Sequence, residues 1–202
     1  MQQSLVWKPW DGHGVEHLGL ASAGDGISAS SHLIQSTRGN SIAAAYLLKY
    51  DERWRFRRLW LKADNHGQRS LELRRDIRGR WHLGDQLRED LGECQQVMLS
   101  ASPFPHTPLL QRSPLAVGDS ERFCVAHVDL LSLRVEARQQ RYQCLHRQAS
   151  HAVYLCEAEG HAPCELTLDA SGLLVQAIGQ FVRVSQRTLR EAECAWRFRD
   201  AR

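Results

Sequence analysis

Arg53-Trp54-Arg55-Phe56-Arg57-Arg58-Leu59-Trp60-Leu61 carries two interleaved rows. Trp54, Phe56 and Trp60 fall on one parity, and Arg55, Arg57, Leu59 and Leu61 on the other. Successive side chains of a β-strand point to opposite faces, so the segment reads as a strand with an aromatic row and a basic row. An aromatic row facing inward and arginines facing water describe one wall of a pocket.

The same period of two recurs outward from this segment. It appears in Ala44 to Lys49, Ser70 to Arg74, Arg80 to Leu83, Phe123 to Val128, Leu131 to Ala137 and Arg141 to Leu145. It continues in Ala152 to Cys156, Cys164 to Leu168, Leu173 to Ile178 and Phe181 to Val184. Turn signals punctuate the runs: Asp11-Gly12, Arg38-Gly39-Asn40, His66-Gly67, Arg78-Gly79, Val117-Gly118-Asp119, Glu159-Gly160 and Ala170-Ser171-Gly172. Short strands at this spacing predict a mostly β meander, barrel or sandwich. With 202 residues and no linker, repeat or low-complexity stretch, one domain over 1–202 is expected.

Two segments break the pattern. Ser102 to Pro114 holds four of the six prolines. Thr107 fits an N-cap, Pro108 the first helical position and Pro114 a stop, predicting a helix of one to two turns. From Gln186 to Arg202, Leu189, Ala192 and Trp196 take helical spacing, so residues 185–202 read as a C-terminal extension, either an amphipathic helix or a frayed end.

A net charge of +3 demands neither nucleic acid nor an acidic membrane as partner. Lysines occur only at 8, 49 and 62, so nearly all positive charge is arginine, which suits bidentate contacts to carboxylates and phosphates. The N-terminus lacks the basic lead and apolar core of a signal peptide, and no apolar run is long enough for a membrane helix. Cys94, Cys124, Cys144, Cys156, Cys164 and Cys194 form no C-x-x-C pair; reduced thiols in a cytoplasm are the expectation.

His13-Gly14-Val15-Glu16-His17 matches an inverted zinc-protease pattern. That chemistry needs both histidines one helical turn apart, and Gly12, Gly14 and the following Leu18-Gly19-Leu20 oppose a helix. On a strand the two histidines stand ~13 Å apart, too far for one metal ion. No nucleophile elbow, P-loop or dinucleotide fingerprint is present, and no metal or cofactor is expected.

Several segments together resemble a bacterial glycolipid-binding family, formerly a domain of unknown function. They run from Trp7 to Val184: Gly14 with Glu16; Tyr46-Leu47; Asp51 with Trp54-Arg55 and Arg57-Arg58; Arg75-Asp76-Ile77-Arg78-Gly79-Arg80-Trp81; Leu91 to Cys94; Leu99 to Phe104; His106-Thr107 with Arg112; Gln140-Arg141-Tyr142; Tyr154 with Glu157; and Asp169 through Gly172-Leu173, Gly179, Phe181 and Arg183. The chain departs from the family pattern at Pro105-His106, Gln95-Gln96 and Ala177-Ile178. The resemblance implies a long antiparallel sheet spiralling as a β-roll or half-open barrel around one central helix. It also implies space between sheet and helix for acyl chains.

The function so implied is binding or carriage of a glycolipid-like amphipathic ligand, without nucleic acid and without integral insertion into a membrane. Glu16, Arg55, Asp76, His106 and Arg112 are candidates for orienting a head group, and Trp54, Trp81, Phe104 and Tyr142 for the walls. Each could equally be a network or core residue. The alternative is a hydrolase or other enzyme acting on a lipid or sugar conjugate through Glu16, Asp76, Asp90 and His106. A third reading takes the Arg53–Trp60 segment as a stacking platform for nucleic acid.

Overall fold

The computed structural model describes residues 2–24, 26–37, 40–65 and 67–189. Met1, Asp25, Arg38, Gly39, His66 and everything from 190 onward, Cys194 included, lie outside them. The first half of the chain runs as β1 (Gln2–Pro9), β2 (His13–Ala23), β3 (Gly26–Thr37), β4 (Asn40–Tyr50), β5 (Phe56–Asp64), β6 (Gln68–Arg75), β7 (Trp81–Leu83) and β8 (Gln86–Leu87). A short 3-10 turn, Glu89–Leu91, leads to β9 (Gln96–Leu99) and the helix α1 (His106–Arg112). The second half is β10 (Ser120–Val128), β11 (Val135–Arg147), β12 (His151–Ala158), β13 (Cys164–Asp169), β14 (Leu174–Ala177) and β15 (Phe181–Leu189).

All fifteen strands form one sheet, in the order β8-β7-β6-β5-β4-β3-β2-β1-β15-β14-β13-β12-β11-β10-β9. Every pair is antiparallel except β9 with β10. Fifteen strands laid flat would separate the edges by ~65 Å. Yet β8 and β9, the two edges, are joined by only Arg88 to Gln95, which can span at most ~30 Å. The chain connectivity therefore requires the sheet to roll. Side chains pin the rolled halves together: Trp81 Nε1 donates to Cys94 O at 3.2 Å, Asn65 to Leu130 O, Arg88 to Val135 O, and Arg69 to Leu131 O. The roll stays half open, since β8 and β9 do not pair with each other.

β10 shows what the roll does to the core. Phe123 and Val125 pack with α1 in one cluster, whereas Cys124, Ala126 and Val128 pack with β1–β7 in another. A strand buried on both faces divides the interior into two apolar compartments. The helix compartment is filled by Met98, Leu109, Leu110, Phe123, Tyr142, Leu166 and Leu174, none more than 4% exposed. A lipid-sized void would leave those side chains accessible, so the expected acyl space between helix and sheet is occupied by protein.

Four readings of the sequence need correction. The aromatic row is broken: Tyr50 pairs with Phe56 and Lys49 with Arg58, so Arg57 is an extra residue in β5. That bulge reverses the alternation. Phe56, Leu59 and Leu61 face inward, while Trp60 faces out under the Arg58 guanidinium, 4.2 Å from its ring centroid. Trp54 lies in the β4–β5 turn with φ 59°. Second, Thr107 is not the N-cap of α1; Pro105 holds that position, and the Thr107 hydroxyl accepts from the Leu174 amide. Third, the helical reading fails for Gln186 to Leu189, which continue β15 against β1. Leu131 to Arg134, read as strand, form a turn around Asp129, and β11 is one strand from Val135.

Candidate functional site

At one end of the roll, two hairpin turns and the end of α1 converge. The β4–β5 turn is held by Asp51, whose Oδ1 accepts from the Arg53 and Arg55 amides at 3.0 and 2.9 Å. The β6–β7 turn is built the same way: Asp76 Oδ1 accepts from the Arg78 and Arg80 amides, both at 2.9 Å. An aspartate opening each turn, with the following residues arginine-rich, places guanidinium groups at the same end.

Between them lies an open cleft of about 310 Å³. Arg55, Arg57, Arg75, Asp76 and Arg112 line it, with Phe56 at its floor and the Ile77–Gly79 turn as its rim. A second cleft of about 310 Å³ shares Arg55 and adds Gly24, Asp51, Glu52 and Arg53. Six arginines thus face three carboxylates across the two clefts. Two of those carboxylates are committed. Asp51 Oδ2 takes Arg57 at 2.8 Å, and Asp76 Oδ2 takes Arg80 Nε at 2.9 Å. The backbone amide of Arg80 is the main reason the Asp76 carboxyl titrates well below the usual range.

The guanidinium groups are uneven in their partners. Arg75 stacks over Trp81 and donates to Gly79 O. Burial lowers its pKa, and Arg112, Arg57 and Arg55 push the same way as like charges. The Arg112 side chain makes no hydrogen bond or ion pair among the described residues, and its Nη1 is shielded from water. A buried, unpaired guanidinium N–H is costly, more so beside other cations. Planar guanidinium donors of this kind suit phosphate or carboxylate oxygens.

The other candidates stand apart. Glu16 is fully buried inside the β2–β4 wall, where Oε1 accepts from Ser31, Tyr46 and Ser102 at 2.8, 2.6 and 2.9 Å. Burial pushes its carboxyl up to about 7 despite those donors. Trp81 stacks on Phe56 with ring centroids 5.0 Å apart, and Phe104 packs edge-on to Tyr50. His106 Nδ1 meets the Tyr142 hydroxyl at 2.8 Å, and that hydroxyl donates to Gln140. Burial pushes His106 down to about 4, so it is neutral near pH 7. Trp54 is half-buried against Tyr50. The cleft therefore brings together Arg55, Asp76 and Arg112, and leaves Glu16, Phe104, His106 and Tyr142 in packed networks. Arg57, Arg75 and Arg78 line it without having been singled out. Their signal was their position beside two aspartate-opened turns.

His13 and His17 lie on the strand face opposite Glu16, as expected of a strand, and His17 meets the Ser4 hydroxyl at 2.8 Å. Among the described residues no three His, Cys, Asp or Glu side chains gather at metal-binding distance, and no helix is long and apolar enough to cross a membrane.

No curated protein matches this chain. A crystal structure of a DUF1089 family protein from Pseudomonas aeruginosa is similar, at 28% identity and a TM-score of 0.73, over 85% of this chain and 92% of that one. A family model described as "Putative glycolipid-binding" matches residues 4–183, nearly the whole described sheet, and the chain belongs to that family.

Proposed function

We propose that the chain is a single-domain binding protein for a glycolipid-like amphiphile, and that the arginine-lined cleft takes an oxyanion of its head group. The observation that carries this reading is Arg112: its guanidinium has no side-chain partner among the described residues, one of its N–H groups is buried, and the residue lines the cleft together with Arg55, Arg57 and Arg75. Family membership supports binding of this ligand class. The filled helix compartment supports head-group recognition rather than engulfment of the tails. Asp76 then holds the β6–β7 turn in place, and Trp81 and Phe56 form the apolar wall behind Arg75.

The acid–base alternative lacks a converging pair among the described residues. Glu16, Asp76, Asp90 and His106 each bind a different set of partners.

Titration with glucose 1-phosphate and with glucose, followed calorimetrically, tests the reading. Binding of the phosphate ester and not the neutral sugar is expected. Arg112→Gln should weaken it at least tenfold, the loss of one hydrogen bond to a charged group. Arg134→Gln, on an exposed residue away from the cleft, should leave it unchanged. Equal affinity for both sugars, or no effect of Arg112→Gln, would sink the assignment.

A further inference from the structure

The rim of the arginine cleft carries one residue that packing does not explain. Ile77 is 94% exposed at the tip of the β6–β7 turn. The turn beneath it is rigid. Gly79 N donates to Asp76 O at 3.0 Å, Asp76 N to Arg80 O at 2.9 Å, and Asp76 Oδ1 accepts from two further amides. A single exposed isoleucine is ordinary on a protein surface. This one is held out on a braced hairpin with Arg78 and Arg80 beside it and Arg53 and Arg55 on the neighbouring turn. Of the carboxylates that line the two clefts, Asp51 and Asp76 are tied into the turns and to arginines, which leaves Glu52.

We propose that this end of the roll docks on an anionic lipid bilayer, with Ile77 inserted below the head groups and the surrounding arginines on lipid phosphates. Charge complementarity selects the occupant: an apolar tip ringed by guanidinium groups matches the layered chemistry of a bilayer surface, apolar beneath and anionic above. Neither signal holds a protein to a membrane alone; together they can, because a short apolar insertion and a basic patch add. The site above supplies a use for the surface. With no room between α1 and the sheet for acyl chains, a lipid whose head group entered the cleft would keep its tails in the bilayer. That last step rests on the head-group reading; the docking itself does not.

The test is co-sedimentation of the full chain with phosphatidylcholine vesicles, with and without phosphatidylglycerol. A thermal-shift titration with inorganic phosphate runs beside it. The chain is expected to pellet with the mixed vesicles and not with phosphatidylcholine alone, and to be released by salt. Ile77→Ser should weaken vesicle binding about tenfold, and Arg78→Gln about fivefold. Ile77 is exposed, so Ile77→Ser should leave the fold, followed by circular dichroism, intact. No binding to mixed vesicles overturns the proposal, as does equal binding by the wild type and Ile77→Ser. If the phosphate response survives either outcome, head-group recognition stands without docking, and the exposed tip then serves a protein partner. Vesicle binding without a phosphate response keeps the docking and removes the head-group reading.

Discussion

Glu16 occupies a place where a carboxylate is expensive. It is fully shielded, three hydroxyls donate to Oε1, and Oε2 has no partner. Desolvation outweighs the three hydrogen bonds and lifts its pKa from 4.5 to about 7. A raised carboxyl pKa means that the folded chain holds the proton more tightly than the unfolded one. The stability this confers is complete below about pH 4.5 and disappears as pH rises through about 7. Glu16→Gln removes the titrating proton while keeping an acceptor for Ser31, Tyr46 and Ser102. The stability of the variant relative to wild type should therefore improve by about 3 kcal/mol between the low and the high end of that window. Urea unfolding at both ends measures it, and a constant difference would mean that Glu16 titrates alike in the folded and the unfolded chain. Glu16 was legible in the sequence as a polar residue of interest. Its role as a buried acceptor was not, because its three donors lie 15, 30 and 86 residues away.

The elements that could be read from sequence were those whose inner faces are purely apolar. β4, β6, β12 and β13 show inward Tyr46 and Leu48, Leu71 and Leu73, Tyr154 and Cys156, and Leu166 and Leu168. β3 escaped because its inward row is Ile27, Ala29, Ser31, Leu33 and Gln35. Two of these are polar, since Ser31 serves Glu16 and Gln35 donates to Ala101 O at 2.8 Å. A buried network thus erased the alternation that marks a strand. β5 misled in another way, through the unpaired Arg57. Both are tertiary devices with no local signature. The β2–β3 pairing contains a third: Gly14 has φ +149°, and a Cβ there would stand 2.4 Å from Ile34 O and 2.7 Å from Gln35 Cα. Gly14→Ala should therefore destabilise the protein by about 2 kcal/mol or more. At the far end of the same hairpin, Gly24 has nothing within 4 Å, and Gly24→Ala should be near neutral. Equal melting temperatures for the two variants would show that the ladder relaxes around Gly14.

For the whole molecule, periodicity alone left meander, barrel and sandwich open, because period two reports faces and not partners. The roll follows from long-range facts: β1 sits mid-sheet between β2 and β15, and the two edges are joined by a short connection. The same rolling assembles the cleft. Arg55 and Arg57 come from the β4–β5 region, Arg75 from β6 and Arg112 from α1, so no local stretch of sequence displays the cluster. Burying a guanidinium and holding like charges beside it opposes folding, and both lower the pKa of Arg75. A site of that kind trades stability for recognition. Arg112→Met should accordingly raise the melting temperature of the ligand-free chain by a few degrees. An oxyanion ligand should reverse the order. At a hundredfold excess over its Kd it would stabilise the wild type by about 2.7 kcal/mol, a rise of roughly 5–10 °C for a chain of this size. It would stabilise Arg112→Met, with binding weakened tenfold or more, by at most about 1.4 kcal/mol, half the wild-type gain. Differential scanning fluorimetry with and without glucose 1-phosphate reads both halves. A variant that melts lower without ligand would make Arg112 a structural residue and remove the reason for the cleft to seek an anion.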